Sequence, residues 1–160
     1  MENLKFYEIN ENYISYLSFY EPRLFLNKKS NQKNERKYIG IVFQINGFDY
    51  FAPLSSFKEK HKYMKDSLDF IKIKDYAVIN LNNMFPVPPH ERKYVDIKNE
   101  KDPHYRSLLI SEYRFVKSIQ EKILKNAQSL YKIKIREDNS SSLTKRCNNF
   151  IILEKACKEY

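Results

Sequence analysis

The stretch that most constrains this chain runs from Lys37 to Ser56. It reads KYIGIVFQI, then Asn46-Gly47, then FDYFAPLSS, two β-rich runs joined by the dipeptide that favours a type I′ hairpin turn. A two-residue loop pairs Ile45 with Phe48, Phe43 with Tyr50, Ile41 with Ala52 and Ile39 with Leu54, so these apolar residues share one face. The other face then carries Gln44 with Asp49, Val42 with Phe51, Gly40 with Pro53 and Tyr38 with Ser55. A one-residue slip destroys that sorting. An antiparallel hairpin is predicted, with a shallow gap where Gly40 faces Pro53.

The flanking segments extend the pattern. Leu4 to Ile9 reads as a strand, and Asn10 as the N-cap of a helix carrying Tyr13, Ile14, Tyr16, Leu17 and Tyr20, ended by Pro22. Arg23 to Lys37 is basic and aperiodic, which predicts a mobile loop. Beyond the hairpin, strands are expected at Leu68 to Ile73, Tyr76 to Leu81 and Met84 to Val87, where Pro86, Pro88 and Pro89 break regular structure. Asp102-Pro103 is a cap followed by a first-turn proline. The stripe Leu109, Val116, Ile119, Ile123, Ala127, Leu130 predicts one long helix or two consecutive ones. Ser140 to Ser142 starts a last helix bearing Leu143, Cys147, Phe150, Ile151 and Ala156. Strands precede helices without βαβ alternation, so the fold class is α+β with an antiparallel sheet.

Composition excludes several functions. The 160 residues suit a single domain, 1–160. A formal net charge of +9 favours a polyanionic partner. Tyr and Phe number 13 and 11, too many for a disordered basic tail. No apolar run approaches the roughly 18 residues that span a bilayer, and MENLKFYEINENYIS lacks the basic start and apolar stretch of a signal peptide. A soluble cytoplasmic protein with no membrane association is expected. Two glycines leave no glycine-rich phosphate cradle. Cys147 and Cys157, read as ~15 Å apart on one helix, are too distant for a disulfide and are expected as reduced thiols. His61, His90 and His104 are scattered, which argues against a zinc site.

Chemistry is best placed at the end of the hairpin. Ser55 and Ser56 lie beside the Gly40–Pro53 gap, with Tyr38 opposite Ser55, Lys58 just beyond, and Arg36 pointing to the same face if its strand extends. Hydroxyls and cations are good donors to phosphate oxygens. From the residues alone, a Ser-Ser pair finishing a hairpin among solvated lysines is the favoured account. Lys28, Lys29, Lys33, Lys37, Lys60, Lys62 and Lys65 form either a track for a nucleic-acid backbone or a solvated surface. Tyr13, Tyr16 and Tyr20 suit base stacking or a core. His61 suits proton transfer or plain exposure. Asp66 and Asp69, amid lysines, are weak metal candidates.

The segments KFYEINENYISYL, YIGIVFQINGFDYFAPLSSFKEKHKYMK and CNNFIILEKAC together resemble the ToxN/AbiQ family, endoribonuclease toxins of type III toxin–antitoxin systems, and within it the CptN branch. The likeness covers most of the chain and is most specific in the strand–helix start and the APLSS-x-K-x-KH segment. It implies a twisted antiparallel sheet, a partly open SH3-like barrel similar to MazF/Kid toxins, flanked by helices. It also implies metal-independent cleavage of cellular mRNA, without a cofactor, and a role in phage defence. A small structured RNA antitoxin, made as tandem repeats, is implied as inhibitor, as substrate for processing and as partner in closed protein–RNA assemblies.

Carried over by resemblance, the catalytic set is Ser55, Ser56, Lys58 and Arg36, the last standing where relatives have lysine. Tyr13 and Arg23 match residues near the family's active site or RNA groove. Residues 27–35 align poorly and receive no individual roles. The ribose 2′-hydroxyl supplies the nucleophile, giving a 2′,3′-cyclic phosphate and a 5′-hydroxyl. The protein aligns attack and stabilises the growing charge, a task that falls to Lys58. The rivals are a non-catalytic basic RNA-binding protein, a metal nuclease built on Asp66 and Asp69, and a DNA-binding protein, which lacks a recognition-helix motif.

Overall fold

The computed structural model describes residues 3–26 and 36–160. The chain opens with β1 (Lys5–Ile9), α1 (Glu11–Ser18) and α2 (Arg23–Leu26), followed by the hairpin strands β2 (Tyr38–Ile45) and β3 (Phe48–Ser56). A 3-10 turn (Glu59–Tyr63) leads to β4 (Phe70–Ile73), β5 (Ala77–Asn80), β6 (Phe85–Pro86) and β7 (Arg92–Tyr94). The helices α3 (Pro103–Ser118), α4 (Gln120–Glu137), α5 (Ser142–Lys145) and α6 (Phe150–Glu159) complete it. The strands form one antiparallel sheet in the order β4-β5-β3-β2-β1-β7, with β6 also on β3. The α+β class with an antiparallel sheet and flanking helices is as expected. Among the described residues, no helix is long and apolar enough to cross a membrane.

Local signals acted as expected at several starts. The Asn10 side chain accepts from the Asn12 amide at 2.9 Å. Asp102 accepts from the amides of His104 and Tyr105, and Pro103 takes the first helical position. The apolar stripe becomes two helices, broken at Ile119 with ψ 18°. Two boundaries differ from expectation. Arg23–Leu26 is a short helix rather than the start of a loop. The final segment is two helices, because Ser141 caps α5 and Asn149 caps α6. Cys147 therefore lies between them rather than on a helix with Cys157, and both thiols are free.

Two apolar cores enclose the sheet. Phe6, Ile39, Tyr50, Ala52, Ile71 and Ile79 pack with Leu109, Val116, Ile123 and Leu130 of α3 and α4. Tyr38, Phe51 and Phe85 pack with Tyr13, Ile14 and Leu17 of α1 and Leu153 of α6. In the first core, Tyr50 and Tyr131 both donate to Glu154 Oε2, at 2.6 and 2.8 Å.

The hairpin itself carries the main surprise. Near the turn, Ile45 pairs with Phe48, Gln44 with Asp49 and Phe43 with Tyr50, as predicted. The register then shifts between Gly40 and Phe43, so Gly40 pairs with Phe51, Ile39 with Ala52 and Tyr38 with Pro53. Ile41 and Val42 form a two-residue bulge, and they swap sides: Val42 joins the Ile39 core and Ile41 packs on the Phe51 core. The predicted Gly40–Pro53 gap is absent. The Phe51 ring lies over Gly40, where a Cβ would overlap it.

Candidate functional site

The shifted register builds the site. The Leu54 amide donates to the Lys37 carbonyl at 3.0 Å, so the pairing continues past Tyr38 and sets Arg36 opposite Ser55. Arg36 Nη1 is 3.5 Å from Ser55 Oγ. On the other edge of β3, Ser55 pairs with Val78 and Ser56 with Ala77 of β5. Asn80, at the end of β5, brings Nδ2 within 3.4 Å of the same Ser55 Oγ. With donors from two side chains beside its oxygen, the hydroxyl keeps its own hydrogen free to donate. Arg36 Nε is buried with no hydrogen-bond partner among the described residues, and burial lowers the guanidinium's affinity for its proton. A half-buried cation beside a hydroxyl favours an incoming anion.

Ser56 is exposed at the strand end, and Lys58 is exposed two residues further. Lys58 opens the turn Glu59–Tyr63, which carries exposed Lys60 and Lys62, with Lys65 exposed just after it. Lys62 pairs with Glu59 at 3.0 Å. His61 points inward and is buried among these lysines. A guanidinium, a carboxamide and the Ser55 hydroxyl thus meet where β3 leaves the sheet, with Ser56 and Lys58 following in the chain. Such a set can grip a phosphodiester and stabilise negative charge on its oxygens.

Other residues expected at the site lie elsewhere. Tyr13 is 0% exposed and donates to the Pro86 carbonyl at 2.6 Å, so its ring is core and not open to a base. Tyr38 is buried edge-on to Phe85, and burial raises its phenol to about 12 against the pull of Arg36. Lys37 is also buried. Its Nζ meets Glu8 at 2.7 Å and lies over the Tyr105 ring, so it braces β1 rather than lining a track. Arg23 ties Glu21, at 3.0 Å, to the Lys145 carbonyl, at 2.5 Å. Lys28, Lys29 and Lys33 lie outside the described residues.

Asn80 is the member that the sequence did not reveal. A carboxamide at a strand end reads as turn punctuation, and only the strand order places it beside Ser55. The two aspartates are each engaged separately. Asp69 takes a two-point contact from Arg146, at 2.6 and 2.8 Å, while Asp66 accepts from Lys122 at 2.7 Å. Among the described residues, no three His, Cys, Asp or Glu side chains group as metal ligands. A cleft of about 800 Å³ between the bulge and α4 is lined by Asn3, Tyr7, Gln44 and Lys125 among others, and by none of the Ser55 group.

With this geometry established, comparisons place the chain. Residues 5–158 match the family model described as toxin ToxN, type III toxin–antitoxin system. The chain belongs to that family. It is 32% identical to endoribonuclease ToxN of Bacillus thuringiensis subsp. kurstaki, over 99% of this chain and 85% of the relative. It is 28% identical to endoribonuclease AbiQ of Lactococcus lactis subsp. lactis, over 96% of this chain and 87% of the relative. A solved type III toxin structure described as selectively inhibited by a non-coding RNA pseudoknot superposes with a TM-score of 0.85. That pair shares 30% identity over 99% of this chain and 98% of the other.

Proposed function

We propose that this chain is an endoribonuclease that cuts single-stranded RNA by 2′-hydroxyl attack on the adjacent phosphorus. Arg36 and Ser55 bind the non-bridging oxygens, Asn80 fixes the Ser55 hydroxyl as a donor, and Ser56 contacts the phosphate or the ribose. Lys58 stabilises the charge that grows on the phosphoryl group and protonates the leaving 5′-oxygen. Lys60, Lys62 and Lys65 hold the neighbouring phosphates. The reaction leaves a 2′,3′-cyclic phosphate and a 5′-hydroxyl. Its substrates are cellular mRNA and a repeat-derived RNA antitoxin, which the enzyme processes in the cytoplasm and which then occupies the same groove in a closed assembly.

The observation that carries this reading is the convergence of the Arg36 guanidinium and the Asn80 carboxamide on the Ser55 hydroxyl. The donor set consists of protein cations and hydroxyls, which supply charge stabilisation directly. The test is cleavage of an RNA oligonucleotide by the purified protein, with and without chelator, followed by end-group mapping. Undiminished cleavage with cyclic phosphate ends is expected, and Lys58→Ala is expected to abolish cleavage while still binding the antitoxin RNA. Products with 5′-phosphates, or loss of activity in chelator, would overturn the chemistry. Binding without cutting would identify a non-catalytic RNA-binding protein.

A further inference from the structure

One buried ring governs the turn that carries Lys58. His61 is 6% exposed although lysines stand on either side of it. Its imidazole is wedged against Phe57 and Phe70, with ring centroids 5.6 and 5.5 Å away. The Lys58 amide donates to His61 Nδ1 at 2.8 Å. A backbone amide can only donate, so Nδ1 carries a lone pair and the ring hydrogen resides on Nε2. The main chain closes the loop: the His61 amide donates to the Lys58 carbonyl at 2.9 Å, and the Met64 amide donates to the His61 carbonyl at 3.3 Å. Both main-chain polar groups of Lys58 are therefore tied to one residue, which the two aromatic neighbours hold in place.

We propose that His61 is the positioning residue for Lys58, a neutral imidazole acceptor that fixes the backbone from which the lysine reaches the scissile phosphate. This rests on the reading of Lys58 as the charge-stabilising lysine. It replaces the RNA-contacting role expected for His61, because a ring wedged between two aromatics presents little surface to RNA. The groups facing the ring make the acceptor state robust near neutrality. Burial, then Lys60, then Lys58 disfavour its protonation and keep it below the ordinary histidine range. Phe57, just past β3, and Phe70 of β4 contribute no charge. Acid sufficient to protonate Nδ1 removes the acceptor and sets two donors against each other. Lys58 then loses its anchor.

The test uses the full-length protein, an RNA oligonucleotide containing every dinucleotide step, and three variants. His61→Phe keeps a ring between Phe57 and Phe70 but has no acceptor. His61→Asn places Oδ1 where Nδ1 was. His61→Phe is expected to lower kcat about tenfold to hundredfold with KM within about twofold, since small misplacements of a reacting group act on turnover. His61→Asn is expected to recover most of that loss and to lack the acid limb expected of the wild type below the ordinary histidine range. Equal impairment of both variants, a loss confined to KM, or an unimpaired His61→Phe would overturn the proposal. Lys58→Ala separates the two levels: if it cuts like wild type, the reading of Lys58 fails, whatever the His61 variants do.

Discussion

Arg36 meets Ser55, with Nη1 3.5 Å from Oγ, because β2 contains two residues that β3 does not match. Without Ile41 and Val42 in the bulge, the hairpin would bring Tyr38 opposite Ser55 and leave the cation beyond the sheet. The side chain that faces the hydroxyl is thus chosen by an irregularity several residues away.

That arrangement makes the guanidinium the first target. Arg36→Ala is expected to reduce RNA cleavage about hundredfold or more, as removal of a preorganised donor does. Arg36→Lys is expected to recover only part, because an ammonium cannot supply the planar fork. Single-turnover cleavage measures both, and circular dichroism confirms that each variant is folded.

Asn80 acts through Ser55, so the two substitutions should not add. Asn80→Ala is expected to lower turnover about tenfold in the wild-type chain and to have little effect in a Ser55→Ala background. A double-mutant cycle on the cleavage rate reads the coupling. Additive losses would show that Asn80 acts without Ser55.

Gly40 is required by close approach rather than by a turn. The Phe51 ring occupies the space that a Cβ would take. Gly40→Ala is expected to destabilise the fold by about 1–3 kcal/mol, the usual range for overpacking. Urea unfolding measures this, and the penalty should shrink in a Phe51→Leu background.

Glu112 on α3 supplies a pH dependence of stability. Burial raises its carboxyl from 4.5 to about 7, against the opposing pull of Lys37. The folded state holds this proton more tightly than the unfolded chain does. The contribution to stability is therefore full below about pH 4.5 and is lost as the pH rises through about 7. From this group alone, unfolding free energy is expected to fall by about 2–3 kcal/mol between pH 4.5 and 8. Glu112→Gln is expected to flatten that slope, which urea unfolding across the range tests.

Much of the fold was legible because it depends on local chemistry. Asn46-Gly47 fixed the turn, while Asn10 and Asp102-Pro103 marked two helix starts. The bulge was invisible for a definite reason. Alternation of apolar residues reports which side of a strand a residue faces, so it detects an odd slip and is blind to an even one. A two-residue shift leaves Ile39 with Ala52 as acceptable as Ile39 with Leu54. The hydroxyl pair could be placed at a strand end from sequence, but Tyr13 and Lys37 could not be recognised as buried. Tyrosine and lysine suit a surface as well as a core when the packing around them is unknown. His61, set among lysines, reads as solvent-facing until Phe70 is brought against it.

The bulge also implies how this architecture can vary. A residue added singly would rotate everything upstream to the reverse side of the sheet. Added in pairs, residues leave orientation intact and slide the upstream segment along its neighbour by about 7 Å. The choice of side chain set opposite Ser55 is therefore graduated in discrete notches, fixed at a point remote from the pair and independent of the hairpin's turn.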